Sequence, residues 1–291
     1  MSRHVFPPIP VVAEGAGSQP EEQDFDWLPL PRAVDTFSAP SPARTSKAAR
    51  EPVLALLSQA VQAVQDVACA RADSVLLPVQ GLDQEAQTLL AQVMGEGEVS
   101  AQINLPDGGT LQIQETVYTG IWRALESDAA GGLRADYLEI ADVPAAVVRE
   151  AQRAGAESAL LPPDAGLMNA PAIASEIIAA QETALADDGA GCHVVNFTLQ
   201  PVTADDMAWL DRMIGGGPVG VFSRGYGKCV VTSTGLRHVW RVRYFDGMNK
   251  TLLDTLEITR VPAAVRAAAE DLADTLERLR ELVTWLERGD V

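Results

Sequence analysis

Apolar residues at helical spacing predict one helix near each end of the sequence. Between residues 51 and 72 they recur every three or four positions, and Pro52 suits a first helical turn. Residues 262–288 repeat the spacing as one continuous stripe. Its members are Val265, Ala268, Leu272, Leu276, Leu279, Val283 and Leu286. We therefore expect a helix over each range.

A different pattern, strict alternation, predicts a strand over residues 237–244. His238, Trp240, Val242 and Tyr244 would share one face of this strand, and Arg237, Arg241 and Arg243 the other. Two interpretations of the arginine face stay open. It is either a docking surface or the solvated edge of a bulged strand.

The sequence repeats itself. Residues 120–147 match 238–265 at an offset of 118, and residues 88–100 match 208–220 at an offset of 120. Farther upstream, SVLLPVQ (74–80) parallels VVNFTLQ (194–200). Each copy predicts a strand, a helix, three strands and a helix. We therefore expect an α+β fold that is an internally duplicated β-α-β-β-β-α unit with a disordered, Pro-rich N-terminal tail.

The predicted organisation has four parts. Residues 1–50 form the Pro-rich tail, 51–155 the first helix and copy 1, 156–190 a linker with a helix, and 191–291 copy 2 with the long C-terminal helix. The tail contains EEQDFDWLPLP (21–31), which we call the aromatic–acidic segment. Its Trp27 belongs either to a strap that docks on the chain's own globular part or to a linear motif for a partner.

Charge and composition limit the class of partner. The net charge of −18 argues against nucleic acid and anionic membranes, and no apolar run of about 18 residues predicts a membrane span. Three widely spaced cysteines and no export signal predict a cytoplasmic protein without a disulfide framework. No sequence pattern predicts a metal site or a cofactor.

Six glycines lie in GGGPVGVFSRGYGKC (215–229), which contains a literal G-x-G-x-x-G. A dinucleotide site needs these glycines after a strand and before a helix, whereas here they follow a helical pattern and precede a β-prone segment. Pro218 lacks the backbone N–H that a phosphate site would use, and copy 1 carries Glu96 and Glu98 in the matching turn. The pattern therefore predicts a helix C-cap and a turn into a strand.

Copy 2 concentrates basic, aromatic and thiol side chains that copy 1 lacks. A thiol nucleophile would need a base, and Cys229 has His238 only nine residues away, but a lone Cys and a lone His more often fill a core. No hydrolase or metalloprotease motif is present, so we expect a binding protein rather than an enzyme. The candidate partner-binding residues are Ser223, Arg224, Tyr226, Lys228, Cys229, Arg237 and Arg241, with Trp27 from the tail.

Several stretches together resemble the HupH/HyaF-type hydrogenase expression/formation proteins. They are SRGYGKCVVTSTGLRHVWRVRYF and LLDTLEITRVPAAVRAAAEDL within 223–272, LMNAPAIASEI (167–177), the duplicated VP segments and VAEGAGSQPEEQDFDWLPLP (12–31). The resemblance covers nearly the whole chain. Lys228 departs from it, since the family pattern leads us to expect a smaller polar residue such as Asn there, and a partner contact at that position would be altered.

The resemblance implies an accessory protein for assembly of an uptake NiFe-hydrogenase. Its implied role is a chaperone or scaffold that binds the iron–sulfur small-subunit precursor before twin-arginine export, alongside a thioredoxin-like accessory protein. An acidic chain suits a client with a cationic export signal. The alternative is a redox or cluster-handling factor that uses Cys229, although three thiols cannot close a four-thiolate cluster site within one chain.

Overall fold

The computed structural model describes residues 45–157, 161–224 and 227–288. These residues fall into two compact units. The first unit contains residues 45–147, 223–224 and 265–288, and the second contains residues 148–157, 161–222 and 227–264. Both units are discontinuous in sequence, and neither coincides with the predicted parts 51–155 and 191–291. The aromatic–acidic segment with Trp27 lies outside the described residues.

Helices and antiparallel strands make up both units, which agrees with the predicted α+β class. The elements are α1 (Lys47–Ala68), β1 (Ser74–Pro78), α2 (Gln84–Met94), β2 (Val99–Asn104), β3 (Thr110–Glu115), β4 (Ile121–Ser127), β5 (Leu133–Ala141), α3 (Ala145–Ala154), α4 (Ala170–Ala186), β6 (His193–Asn196), α5 (Ala204–Ile214), β7 (Gly216–Ser223), β8 (Lys228–Thr234), β9 (Val239–Phe245), β10 (Thr251–Ile258) and α6 (Ala269–Arg288).

In the first unit, helices cover one face of the strands β1-β5-β4-β3-β2, given in their order across the sheet. Helix α1 begins at Lys47 because the Ser46 hydroxyl accepts a hydrogen bond from the N–H of Ala49. The apolar stripe predicted for this helix is buried, with Leu57 fully enclosed. It packs with α2, with Leu279 and Leu286 of α6, and with the inward residues of β4 and β5 in one core.

In the second unit, α4 and α5 cover the strands β7-β8-β9-β10-β6 in the same way. A capping box formed by Thr203 and Asp206 starts α5. Asp206 is fully buried and also accepts the N–H of Ala170, which joins the starts of the two helices. Burial alone would raise the pKa of Asp206, but its hydrogen bonds outweigh burial and lower it to about 2. Because α4 contributes Ile173 and Ile177 to this core, it is more than the linker helix that the sequence predicts.

The strand pairing in the two units follows one register at an offset of 118. Trp122 lies opposite Glu139 in the β4–β5 ladder, and Trp240 lies opposite Glu257 in the β9–β10 ladder. The turns agree as well. The Thr116 hydroxyl accepts the N–H of Tyr118, and 118 residues later the Thr234 hydroxyl accepts that of Leu236. Both tryptophans are buried at corresponding ladder positions.

Three details of the predicted repeat are wrong. Four strands, not three, follow the helix in each segment, because residues 105–109 separate β2 from β3 and residues 224–227 separate β7 from β8. The first strands correspond at an offset of 118 rather than 120, since Val75 pairs with Ile140 and His193 with Ile258. The last helix does not start at 262: a short 3-10 turn, Ala263–Val265, precedes α6.

Candidate functional site

The glycine-rich stretch ends α5 and opens β7, as predicted. Gly215 caps the helix with a φ of 60°, a left-handed conformation that glycine adopts without strain. A Cβ on Gly217 would collide with the carbonyl oxygen of Thr234, so the close approach of two backbones requires glycine there. In the first unit, Gly95 caps α2 with a φ of 57°, and a Cβ on Gly97 would collide with the carbonyl oxygen of Thr116. These glycines therefore serve the fold.

Three predicted cations are exposed, but they do not form one patch. Arg224 directly follows β7 and Lys228 begins β8, and we call residues 224–227, which connect the two strands, the β7–β8 turn. The Nζ atom of Lys228 donates a hydrogen bond to Oδ1 of Asn249. Arg237 lies in the turn beyond the opposite end of β8, a strand that is about 20 Å long at the rise of extended backbone. The structure therefore separates Arg237 from the β7–β8 turn.

The remaining residues of this turn are only partly described. Ser223 is half-buried and ends β7. Tyr226, like Trp27, lies outside the described residues. Neither Arg224 nor Arg237 forms an ion pair with another described residue, although most described arginines do. Both side chains are exposed and lack an ion-pair partner within the described part of the chain.

Cys229 is buried opposite Tyr244 in the β8–β9 ladder. Burial raises the pKa of the Cys229 thiol to about 11, although a hydrogen bond with the Tyr244 hydroxyl partly opposes the rise. Burial also raises the pKa of Tyr244, to about 12, and the neighbouring Cys229 adds to that rise. The thiolate is the reactive form of cysteine, so this environment keeps the side chain unreactive at neutral pH.

His238 cannot serve Cys229 as a base. It precedes β9, six residues from the Tyr244 that faces Cys229, which is about 20 Å along the strand. Its φ of 61° repeats the positive φ of Gly120, 118 residues earlier. Burial lowers the pKa of His238, and its Nδ1 atom has no hydrogen-bond partner among the described residues. The structure therefore does not bring a Cys–His pair together here.

Arg241 is buried in an ion-pair network, not exposed on a strand face. Its Nε and Nη2 atoms donate to the two carboxylate oxygens of Asp254 at 2.8 and 2.6 Å, and Nη1 donates to Asp211 at 2.8 Å. The guanidinium also lies over the ring of Phe197, 5.6 Å from its centroid. Burial raises the pKa of Asp211, and Arg241 opposes that rise. Arg241 thus has a role within the second unit and is not accessible to a partner.

The predicted arginine face is therefore wrong for β9, whose two faces are both buried. Arg243 is also enclosed, and its guanidinium lies 5.6 Å from the ring centroid of Phe245. Burial and the neighbouring Arg241 lower the pKa of Arg243 to about 10. Alternation of apolar and charged residues along a strand does not show whether the charged face is solvated or covered by other elements. In β9 this face is covered, and α5 contributes the carboxylate of Asp211.

The sequence held a signal for this network that the charge pattern alone did not show. Asp136 and Asp254 are identical residues at the offset of 118, as are Arg123 and Arg241. In the first unit, Arg123 binds Asp136 through two hydrogen bonds of 3.2 and 2.9 Å. The repeat therefore marks an arginine–aspartate pair as part of the fold, to which the second unit adds Asp211.

No three His, Cys, Asp or Glu side chains within residues 45–157, 161–224 and 227–288 are grouped so that they could hold a metal ion. In the same ranges, no helix is long and apolar enough to span a bilayer.

Comparisons with known proteins agree on one family. A family model described as "HupH hydrogenase expression protein, C-terminal conserved region" matches residues 48–159 and again 167–286. The hydrogenase expression/formation protein HupH of Rhodobacter capsulatus is 37% identical over 280 residues, which cover 94% of this chain and 96% of that protein.

Two further relatives carry related names. The hydrogenase expression/formation protein HoxQ of Cupriavidus necator is 38% identical over 96% of this chain and 98% of its own length. The hydrogenase-1 operon protein HyaF of Escherichia coli K12 is 32% identical over 94% of this chain and 95% of its own. A solved structure of the hydrogenase expression protein HupH from Thiobacillus denitrificans aligns with a TM-score of 0.37 and 22% identity over 40% of this chain and 95% of that one. The matches to the family model and to the curated relatives together show that this chain belongs to the HupH family of hydrogenase expression/formation proteins.

Proposed function

We propose that this hydrogenase expression/formation protein is a cytoplasmic assembly chaperone, not an enzyme. Its client would be the iron–sulfur small-subunit precursor of an uptake NiFe-hydrogenase, bound before twin-arginine export. A thioredoxin-like accessory protein would act beside it. The names of the relatives support the hydrogenase context. The choice of a binding role over a chemical one rests on the environments of the candidate residues.

The observation that carries the proposal is the exposed, unpaired guanidinium of Arg224. In a chain with a net charge of −18, most described arginines have a carboxylate partner, whereas Arg224 has none among the described residues. The arginine guanidinium presents five hydrogen-bond donors in a rigid, planar fork, and arginine is enriched among the hot-spot residues of protein interfaces. The β7–β8 turn would bind carboxylates or backbone carbonyls of the client through Arg224, and Tyr226 would add a further contact to the client.

The environment of Cys229 weakens the alternative of a thiol-dependent maturation factor. A cysteine that takes a metal or a disulfide partner needs access and a thiolate, and Cys229 is buried with its pKa raised to about 11. We expect Cys229→Ser to support full maturation of the hydrogenase. Loss of maturation with unchanged client binding in this variant would favour thiol chemistry over a scaffold.

We also propose that the chain arose by duplication of one module and that its second copy diverged toward the client. Two matches of one family model and the common ladder register at an offset of 118 support this origin. The β7–β8 turn, SRGYGK, has no counterpart in the β2–β3 turn, which reads LPDGG. New polar residues in one copy are the better candidates for a role that the other copy does not share.

The test is capture of the small-subunit precursor by the purified full-length protein. Arg224→Ala combined with Tyr226→Ala should weaken binding by at least about tenfold, because two side chains that each contribute moderately to the binding free energy are lost. Arg237→Ala is the matched control, since Arg237 is also exposed and has no ion-pair partner among the described residues but lies beyond the other end of β8. Undiminished capture by the double variant would remove the β7–β8 turn from the proposal.

A further inference from the structure

The β4–β5 and β9–β10 hairpins turn in the same way. In each turn an aspartate carboxylate, that of Asp128 or Asp246, accepts the backbone N–H groups of the second and fourth residues after it. The third residue after the aspartate, Gly131 or Asn249, has a positive φ in both turns. Side chains at equivalent positions, at the offset of 118, can therefore be compared between the two hairpins.

The turn of the second unit carries an apolar side chain that the first unit lacks. Met248 is 89% exposed in this turn, where the first unit has Ala130. Hydrogen bonds order the turn, because Asp246 binds its backbone and the Nζ atom of Lys228 donates to Oδ1 of Asn249. An ordered turn thus holds a long apolar side chain in water.

A β-bulge turns a second apolar side chain outward. Leu252 is the extra residue of the bulge in the β9–β10 ladder, and it is 57% exposed. The equivalent bulge residue of the first unit is Arg134, which forms ion pairs with Asp107 and Glu126. The same position therefore serves the fold in the first unit and leaves an apolar side chain in water in the second.

Two lysines flank these apolar side chains. Lys250 ends the turn and Lys228 begins the neighbouring strand β8; both are exposed, and neither forms an ion pair with another described residue. Asp246, the one carboxylate in the sequence from 245 to 252, is engaged with the backbone of the turn. The equivalents of the lysines in the first unit are the uncharged Thr110 and Gly132. We call the four exposed side chains of Lys228, Met248, Lys250 and Leu252 the hairpin-end surface.

We propose that the hairpin-end surface docks an acidic, apolar segment of the client, an inference that rests on the proposed function. Met248 and Leu252 pack against apolar side chains of this segment, and the flexible thioether of methionine adapts to their shape. Lys228 and Lys250 face its carboxylates. Because Lys228 begins β8 directly after the β7–β8 turn, the hairpin-end surface extends the proposed client contact to a second turn.

The charge of this surface also selects the part of the client that it binds. A cationic export segment would be repelled by the two lysines, since the carboxylate of Asp246 is engaged with the turn. The docked segment therefore lies elsewhere in the client. Its expected chemistry is apolar side chains with Asp or Glu beside them.

The first test is a photo-crosslink from the full-length chain. Met248 is replaced by p-benzoylphenylalanine, the protein is irradiated together with the purified small-subunit precursor, and the crosslinked peptides are mapped by mass spectrometry. We expect crosslinks to a precursor peptide in which carboxylates flank apolar residues. Crosslinks to the cationic export segment, to residues 21–31 of this chain or to a second copy of it, or no crosslink at all, would overturn the proposal.

The second test measures the affinity for the precursor. Met248→Ala combined with Leu252→Ala should weaken capture at least about tenfold, because two apolar contacts are lost, and Lys250→Glu should weaken it about fivefold. Leu133→Ala is the matched control and should leave capture unchanged, since Leu133 is 60% exposed at the start of β5 in the equivalent hairpin of the first unit. All these side chains are exposed, so urea midpoints should not change and a folding defect can be recognised.

The outcomes separate this inference from the proposed function. No capture of the precursor by the unaltered chain would overturn the proposed client and this docking site with it. Capture that is lost in the Arg224/Tyr226 variant but undiminished in the Met248/Leu252 variant would overturn the docking site alone.

Discussion

At the scale of single residues, two pairs of positions at the offset of 118 differ between the units in how buried charge is accommodated. Arg123 and Arg241 make the same bidentate pair with an aspartate, but only Arg241 adds a second carboxylate, from Asp211. Glu115 and Ser233 are likewise equivalent, each opposite a buried tryptophan in its ladder. A buried serine needs only a hydrogen bond, whereas a buried glutamate must be neutralised or paired. The first unit therefore carries an ionisable group whose state affects its stability.

That group gives a prediction about pH. Burial raises the pKa of Glu115 from 4.5 to about 7, although the Gly120 N–H donates a hydrogen bond that opposes the rise. Between these two pH values the folded state keeps a proton that the unfolded state has lost, so stability falls as pH rises from about 4.5 to about 7. Glu115→Gln keeps an acceptor for Gly120 without the charge. It should stabilise the protein by up to about 3 kcal/mol at pH 8 and change little at pH 4.

Urea midpoints at pH 4, 6 and 8 measure this difference. Glu96→Gln, an exposed carboxylate of the same unit, is the control and should shift the midpoint equally little at each pH. A midpoint difference for Glu115→Gln that does not grow between pH 4 and pH 8 would contradict a protonated Glu115.

At the scale of elements, features set by the local residue pattern can be predicted from the sequence. Features set by packing partners that are distant in sequence cannot. The apolar stripe of α1 and the glycine turn after α5 are local features, and both are confirmed. The two faces of β9 are not local, because the helices that cover Arg241 and the carboxylate of Asp211 arrive from elsewhere in the chain. The predicted copies have three strands after the helix, whereas the turn LPDGG separates β2 from β3 and adds a fourth.

The glycine turn gives the prediction at this scale. Gly217→Ala places a methyl group against the Thr234 carbonyl and the Ser233 hydroxyl, so the two strands must move apart. We expect a loss of roughly 1–3 kcal/mol, as for other overpacked sites, and a fall of the thermal midpoint by a few degrees. Gly247→Ala is the control, since no atom lies within 4 Å of the added Cβ. Equal midpoints for the two variants would show that the close approach at Gly217 is not required.

At the scale of the whole molecule, the compact units are not the halves that the repeat suggests. The repeat predicts that the last helix belongs with the strands that precede it, residues 191–261. The structure instead assigns α6 to the unit of residues 45–147, and it assigns residues 148–154 of α3 to the other unit. Sequence similarity between the two segments shows which residues correspond. It does not show against which segment the helices α3 and α6 pack. That choice is made by the cores: α6 shares its core with Leu57 of α1.

This assignment predicts a long-range effect in sequence. Leu279→Ala removes a fully buried side chain from the core of the first unit and should cost 2–5 kcal/mol, about the usual loss for such a truncation. Hydrogen exchange should then accelerate in α1, more than 200 residues away in sequence, while α4 and α5 keep their protection. Ile177→Ala, equally buried in the second unit, should do the reverse. If Leu279→Ala instead exposed α4 and α5 and left α1 protected, the last helix would belong to its own repeat, and the interleaved units would be refuted. Because each variant serves as the other's control, a general loss of stability cannot imitate the predicted pattern.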